Sequence, residues 1–187
     1  IRAIDRADVA VVVIDPTELA TNQDTHIVSY VLDAYKGIVL VVNKWDLASE
    51  LSLTKEDVLR LIRARFRFIP FAPVCFTSGL RGSGIGALLD TVQQVNIEWT
   101  KTVPRYDLRR TVMGAVAEHP PATSGKGRLK IFSVTQDQTG PPSFTFFVNR
   151  PDMVHFSYRR YLENSLRVAY HFRGCPLRIR FKGMGEK

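Results

Sequence analysis

The chain has 187 residues, 45% of them hydrophobic, and a formal net charge of +8. That length suits one large or two small domains, and the apolar share is ordinary for a globular protein. No run approaches the roughly 18 uncharged apolar residues needed to span a bilayer. The opening Ile1-Arg2-Ala3-Ile4-Asp5-Arg6 has neither an initiator Met nor the apolar region of a signal peptide, so it reads as a cut through a larger protein.

The charge is divided between two halves. Residues 1–100 carry 10 Lys and Arg against 12 Asp and Glu, net −2, whereas residues 101–187 carry 16 against 6, net +10. The basic character therefore belongs to the second half and points there for a polyanionic partner, nucleic acid ahead of a merely basic surface. Cys75 and Cys175 stand far apart in apolar or strand-like surroundings. They read as buried free thiols in a reducing compartment rather than a disulfide or metal pair.

In chain order, Val9–Ile14 is a near-continuous β-branched run ending at Asp15-Pro16, the pattern of a parallel strand covered on both faces. Residues 22–35 repeat Ile27, Val28, Val31, Leu32 and Tyr35 at helical spacing, and a second buried strand spans 38–42. Thr54-Lys55-Glu56-Asp57 opens a helix, with Thr54 as N-cap, acids in the first turn and an inner face of Val58, Leu59, Ile62 and Phe66. A third strand is expected over 70–77. Helix 85–98 follows, with Leu88, Leu89, Val92 and Val95 inward. Strands alternating with helices predict a doubly wound parallel sheet, class α/β.

Lys101-Thr102-Val103-Pro104-Arg105 is the expected boundary, because the charge balance changes there and Pro104 disfavours helix at Val103. Beyond it Asp107 is the expected cap of a helix carrying Leu108, Val112, Ala115 and Val116, ended by His119-Pro120-Pro121. Strands follow at 129–135 (Leu129, Ile131 and Ser133 on one face; Lys130, Phe132 and Val134 on the other) and at 143–148. A helix is expected over 152–171 with Val154, Tyr158, Tyr161, Leu162, Leu166 and Ala169 inward. The last strand, 176–182, alternates Leu177, Ile179 and Phe181 with Arg178, Arg180 and Lys182. The second half is thus α-β-β-α-β.

The chemistry concentrates where the strand Ile38–Val42 runs into Asn43-Lys44-Trp45-Asp46. A carboxylate at Asp46 can accept from the two N–H groups on the N1/N2 edge of guanine, a donor pair that adenine lacks. Asn43 can reach the O6/N7 edge, and the Lys44 stem can lie along the base plane. Ligands of open α/β sheets sit at the carboxyl ends of the strands. One β-α-β step later, the backbone N–H groups of Thr77-Ser78-Gly79-Leu80 are suited to a carbonyl such as guanine O6. Hydrolysis of a nucleoside triphosphate needs a phosphate cradle, G-x-x-x-x-G-K-[ST]. No window of this chain matches it. The glycines at 79, 82, 84 and 86 read instead as a flexible lead-in to helix 85–98. Asp15 reads as a turn starter rather than a metal carboxylate. His26, His119, His155 and His171 lack metal-like spacing, and His155 reads as a surface or capping group.

In the basic half, Arg159, Arg160, Arg167, Arg178, Arg180 and Lys182, with a second strip of Lys126, Arg128 and Lys130, are the candidate phosphate contacts for RNA. Tyr158, Tyr161, Tyr170, Phe172 and Phe181 read as core rather than as stacking platforms.

With these pieces assembled, the chain resembles the bacterial EngA/Der family of tandem-GTPase ribosome-assembly factors. The resemblance is carried by residues 2–9 (Arg-Ala-Ile-Asp-Arg-Ala-Asp-Val), Gln23-Asp24, Val41 through Leu47, His119-Pro120-Pro121, Thr135-Gln136, Pro141 through Phe144, Phe147-Val148-Asn149, and above all residues 155–164 (His-Phe-Ser-Tyr-Arg-Arg-Tyr-Leu-Glu-Asn). It implies the later part of a P-loop-type GTPase domain over 1–100, followed by a small α+β KH-like domain over 101–187. By that resemblance Asn43, Lys44 and Asp46 match the base-specificity motif and Ser78 the last guanine-contacting motif. Gly79 stands where the family usually has Ala. The family's phosphate loop and switches would precede Ile1, so Mg²⁺ is expected only in the intact protein. The resemblance implies GTP and GDP as ligands, and the large ribosomal subunit, rRNA and an upstream first GTPase domain as partners. It also implies a cytoplasmic location with no membrane contact. The KH-like half has no G-x-x-G between its helices, so clamping of single-stranded RNA in the ordinary KH manner is not expected. The rival reading is a non-enzymatic RNA-binding or interaction module on a degenerate GTPase scaffold.

Overall fold

The computed structural model describes residues 2–18, 21–124 and 127–184. The chain divides into two compact units, Ile1–Trp99 with Arg173–Pro176 and Thr100–Phe172 with Leu177–Lys187.

The first unit contains α1 (Arg2–Arg6), β1 (Val9–Ile14), α2 (Asn22–Asp33), β2 (Gly37–Val42), α3 (Lys55–Arg65), β3 (Val74–Phe76) and α4 (Ile85–Trp99). Its three strands are parallel in the order β1-β2-β3, with Ile14 opposite Val42 and Val42 opposite Phe76. All six residues of central β2 are buried. Each such aliphatic side chain contributes about 1.5–3 kcal/mol. Val12, Ile14, Ile38, Leu40 and Val42 pack with Val28 and Val31 of α2 and with Val58, Ile62 and Phe66 from α3 and its end. The helices start where side chains can take up their free N–H groups. Thr21 and Asp24 form a reciprocal capping box on α2, and Thr54 accepts from Asp57 N at 3.2 Å on α3, each worth about 1 kcal/mol.

Three expectations for this unit are corrected. Val11 and Val13 of β1 are 40% and 58% exposed: they share the face of the strand opposite to buried Val12 and Ile14, and β1 is an edge strand with only β2 beside it among the described residues. The third strand is three residues long, not eight. Pro70 and Pro73 carry no N–H, and the lead-in closes instead into turns, with Ile69 N donating to Phe66 O and Ala72 N to Ile69 O. On α4 the inner stripe is Leu88, Val92, Val95 and Trp99, while Leu89 is exposed. Leu89 lies one residue, about 100°, off that stripe.

The second unit contains α5 (Arg105–Glu118), a short hairpin of β4 (Thr123–Ser124) and β5 (Gly127–Arg128), β6 (Ile131–Gln138), β7 (Ser143–Val148), α6 (Phe156–Tyr170) and β8 (Arg178–Gly183). Its main sheet has the order β6-β7-β8, with β6–β7 antiparallel and β7–β8 parallel. Apart from the hairpin this is the expected α-β-β-α-β order. Leu108, Val112, Val134, Phe144, Phe146, Leu162, Leu166 and Ile179 form its interior. Three tyrosines tie α6 to α5 and its end. Tyr158 donates to His119 O at 3.0 Å, Tyr161 to Ala115 O at 2.8 Å, and the Tyr170 hydroxyl meets Thr111 Oγ1 at 2.8 Å.

Here too the structure departs from periodicity. Pro104, not Asp107, takes the N-cap of α5; Asp107 sits in the first turn and pairs with Arg110 at 3.2 Å. A bulge between Ile131 and Ser133 displaces Phe132 from the ladder and breaks the alternation, so Val134 is buried with Ile131 while Phe132 is exposed. The long helix begins at Phe156 after a 3₁₀ turn over Pro151–Met153, with His155 Nδ1 accepting from Ser157 N at its start. Ala169 is exposed.

Candidate guanine-binding site

Two loops meet at the carboxyl ends of the first unit's strands. The backbone brings them together: Asn43 N donates to Ile14 O at 3.0 Å, Thr77 N to Val42 O at 2.9 Å, and Trp45 N back to Thr77 O at 2.9 Å. Trp45 stacks edge-on against Phe76, ring centroids 4.4 Å apart. Asn43 then bridges the loops through its carboxamide oxygen, which accepts from Thr77 Oγ1 at 3.1 Å and Gly79 N at 3.0 Å. Ser78, fully buried, donates its hydroxyl to Asp46 Oδ1. Ser78 Oγ in turn accepts from Arg81 N at 3.1 Å. A buried hydroxyl between these partners leaves no unsatisfied polar group. Asp46 is half-buried, and the Ser78 hydrogen bond holds its carboxyl below the ordinary value. It is therefore an ionised acceptor at neutral pH.

Lys44 is exposed and left-handed, φ 56 and ψ 34, and its ammonium pairs with Asp15 Oδ2 at 2.7 Å. The five predicted residues Asn43, Lys44, Asp46, Ser78 and Gly79 thus lie in one constellation. Asn43 has a role that spacing did not reveal, since its oxygen already holds the Ser78 turn. Gly79 N–H is already held by Asn43. A Cβ built on Gly79 would meet only Asn43 side-chain atoms at 3.7 Å, an ordinary contact.

The glycine cluster is a closed turn rather than a flexible lead-in. Ser78 N donates to Ser83 O at 3.0 Å, Gly84 has φ +77, and a Cβ there would fall 2.2 Å from Phe76 O. Only glycine fits. A cleft of about 670 Å³ lies elsewhere in this unit, lined by Arg63, Phe66, Arg67, Pro70, Pro73 and Arg173. It involves the segment before β3, at the opposite end of that strand from Ser78, and holds none of the base-reading groups. Among the described residues no group of three His, Cys, Asp or Glu is placed to hold a metal ion.

The candidate RNA cations fall into separate groups. Arg159 and Arg160 are exposed on α6. Arg178, Arg180 and Lys182 project from the face of β8 opposite to Ile179 and Phe181, so the sheet separates them from the helix pair. Arg167 is largely committed: its side chain is 14% exposed, pairs with Glu163 at 2.9 Å and reaches Phe172 O at 3.4 Å. Arg128 and Lys130 are exposed, and Lys126 lies outside the described residues.

A parallel α/β sheet with this loop pair at its strand ends defines the class of GTP-binding domains, and residues 1–97 match the family described as the elongation factor Tu GTP binding domain. Residues 102–182 match the family described as the KH-domain-like C-terminal domain of EngA bacterial GTPase enzymes. The chain belongs to the EngA/Der family. It is 44% identical to the GTPase Der of Syntrophotalea carbinolica over 97% of this chain and 42% of that protein. It is 41% identical to the GTPase Der of Herpetosiphon aurantiacus over 100% of this chain and 41% of that protein. For the GTPase Der of Thermomicrobium roseum the figures are 42% identity over 97% and 40%. The chain therefore spans about two-fifths of the length of the curated relatives it matches. Among the described residues no helix is long and apolar enough to cross a membrane.

Proposed function

We propose that this chain is the guanine-reading and KH-like portion of a longer cytoplasmic GTPase that hydrolyses GTP to GDP during assembly of the large ribosomal subunit. The observation that carries this reading is the convergence of Asn43, Asp46, Ser78 and Gly79 at the sheet's carboxyl edge. Ionised Asp46 accepts from the N1 and N2 donors of guanine, an arrangement that adenine cannot satisfy. A site built to hydrogen-bond such donors rejects an analogue lacking them by orders of magnitude, because its own polar groups are left unpaired. The Lys44 stem covers a face of the base, and Gly79 N–H donates to O6. The exposed edge of β1, with Val11 and Val13 uncovered, is consistent with an upstream part of the GTPase domain packing there.

The KH-like unit contacts rRNA, the neighbouring first GTPase domain, or both. With Tyr158, Tyr161 and Tyr170 holding helices together, its RNA contacts are to phosphates through Arg159, Arg160, Arg180 and Lys182, with Arg128 and Lys130 as a second strip and Arg178 at the edge. Such binding positions rather than reads sequence.

The test is nucleotide selectivity in the complete protein. Asp46→Asn should weaken GTP about 100-fold and favour XTP, since losing hydrogen bonds to a charged acceptor costs about 3 kcal/mol and an amide can donate to xanthine's extra carbonyl. Unchanged selectivity in competition titrations would count against Asp46 as the guanine reader, and no nucleotide binding at all would favour the degenerate scaffold.

A further inference from the structure

We infer that Asp15 is a positioning residue for guanine recognition, holding Lys44 in the orientation in which its stem covers the purine. This rests on the guanine-reading site proposed above and assigns a role that the motif residues alone do not contain.

The two residues follow adjacent parallel strands. Asp15 succeeds β1 and Lys44 lies just past β2, with Ile14 and Val42 in register. The carboxylate of Asp15 has two separate tasks. Oδ1 accepts from Thr17 N at 2.9 Å and Thr17 Oγ1 at 2.7 Å. Oδ2 accepts from Lys44 Nζ at 2.7 Å. Thr17 therefore fixes the carboxyl plane independently of the lysine, and the lysine is drawn to an anchor already in place.

Lys44 itself is left-handed, a conformation uncommon for a residue with a side chain and concentrated at functional sites. Its side chain crosses from the end of β2 to the turn that follows β1, so its methylenes bridge two strand ends next to Asn43 and Asp46. Stability does not account for this arrangement. The two side chains are 56% and 35% exposed, and pairs of that kind contribute little to folding. Restricting a four-carbon stem before the ligand arrives lowers the ordering cost of binding instead. Hydrogen bonds from Lys44 and then Thr17 draw the Asp15 carboxyl down to about 2.

Turn formation is the competing role, and the division between the two oxygens makes it separable. Asn at position 15 keeps an Oδ1 acceptor for Thr17 and loses the charge that holds Lys44. In the complete protein, Asp15→Asn should weaken GDP about five- to tenfold in calorimetric titration, raise KM for GTP more than it lowers kcat, and leave Tm unchanged. In a Lys44→Met background the same substitution should change GDP affinity by less than about twofold, because the group it positions is gone. Equal losses in both backgrounds, or none in either, overturn the positioning role. The Asp46→Asn switch toward XTP, read in the same series, reports on the guanine site separately. If the switch appears, only the Asp15 assignment is at stake; if it does not, both readings fall.

Discussion

Ser78 donates its hydroxyl to the Asp46 carboxylate across 32 positions of sequence, joining the loop after β2 to the loop after β3. The bond aims the carboxylate and keeps it ionised. Ser78→Ala should therefore weaken GTP about tenfold while leaving the preference for GTP over ATP in place, since Asp46 still reads the base. Because the Asp46 carboxyl lies below its usual value, it stays ionised through the ordinary carboxylate range, and its contribution is lost only as pH falls through that lowered value. Titrations should show affinity flat from neutral pH through the ordinary carboxylate range, with the decline below it.

The two glycines that flank the Ser78 turn should respond oppositely to alanine. At Gly79 the added methyl makes ordinary contacts, so Gly79→Ala should be neutral or stabilising by about 0.4–1 kcal/mol through the unfolded chain. At Gly84 it meets a backbone carbonyl in a left-handed residue, and Gly84→Ala should cost about 3 kcal/mol or more. Urea unfolding of each variant separates them.

Alkaline pH should loosen the second unit through Tyr158. Burial, and then neighbouring Tyr161, push its phenol up to about 12, with the hydroxyl donating to His119 O. The folded form holds that proton more tightly than the unfolded chain, so stability is complete below about pH 10 and falls as pH rises from there toward 12. Tyr158→Phe should remove this component from an unfolding series run between pH 9 and 12.

Residues 1–187 by themselves should show no GTP turnover in a phosphate-release assay. By the proposed reading the described residues supply base contacts but no cradle for the phosphates, where the charge-assisted hydrogen bonds that dominate nucleotide affinity are made. Turnover by these residues alone would show that a phosphate cradle lies within them.

RNA binding by the KH-like unit should fall steeply with salt through counterion release. Arg160→Ala should reduce that slope by about one while leaving stability within about 0.5 kcal/mol. Arg167→Ala should destabilise the unit instead, because this guanidinium already serves Glu163 and the Phe172 carbonyl. Salt-insensitive binding would point to protein contact rather than RNA.

Much of the fold was legible because neighbouring residues carry it. The β-branched run before Asn43 announces a buried strand, Thr54 announces a helix start, and the 3.6-residue stripe of Leu162 and Leu166 announces α6. The departures arise where a distant partner decides. The Phe132 bulge depends on how β6 meets β7, and the exposure of Val13 depends on what covers its face of β1. The brevity of β3 was readable in principle from Pro70 and Pro73, whose missing donors outweigh an apolar stretch.

The order of residues alone determined which chemistry is present: an Asn-Lys-x-Asp loop at a strand end, a Ser-Gly turn one crossover later, and a basic second half. Only the folded chain decided how those groups are held. Asn43 meets Gly79, Asp46 meets Ser78 and Lys44 meets Asp15 because parallel strands place their ends side by side, and hydrogen bonds a few ångströms long form between residues that lie 36, 32 and 29 positions apart. Local pattern names the donors and acceptors. Their pairing is a property of the sheet, which brings the partners within reach in three dimensions.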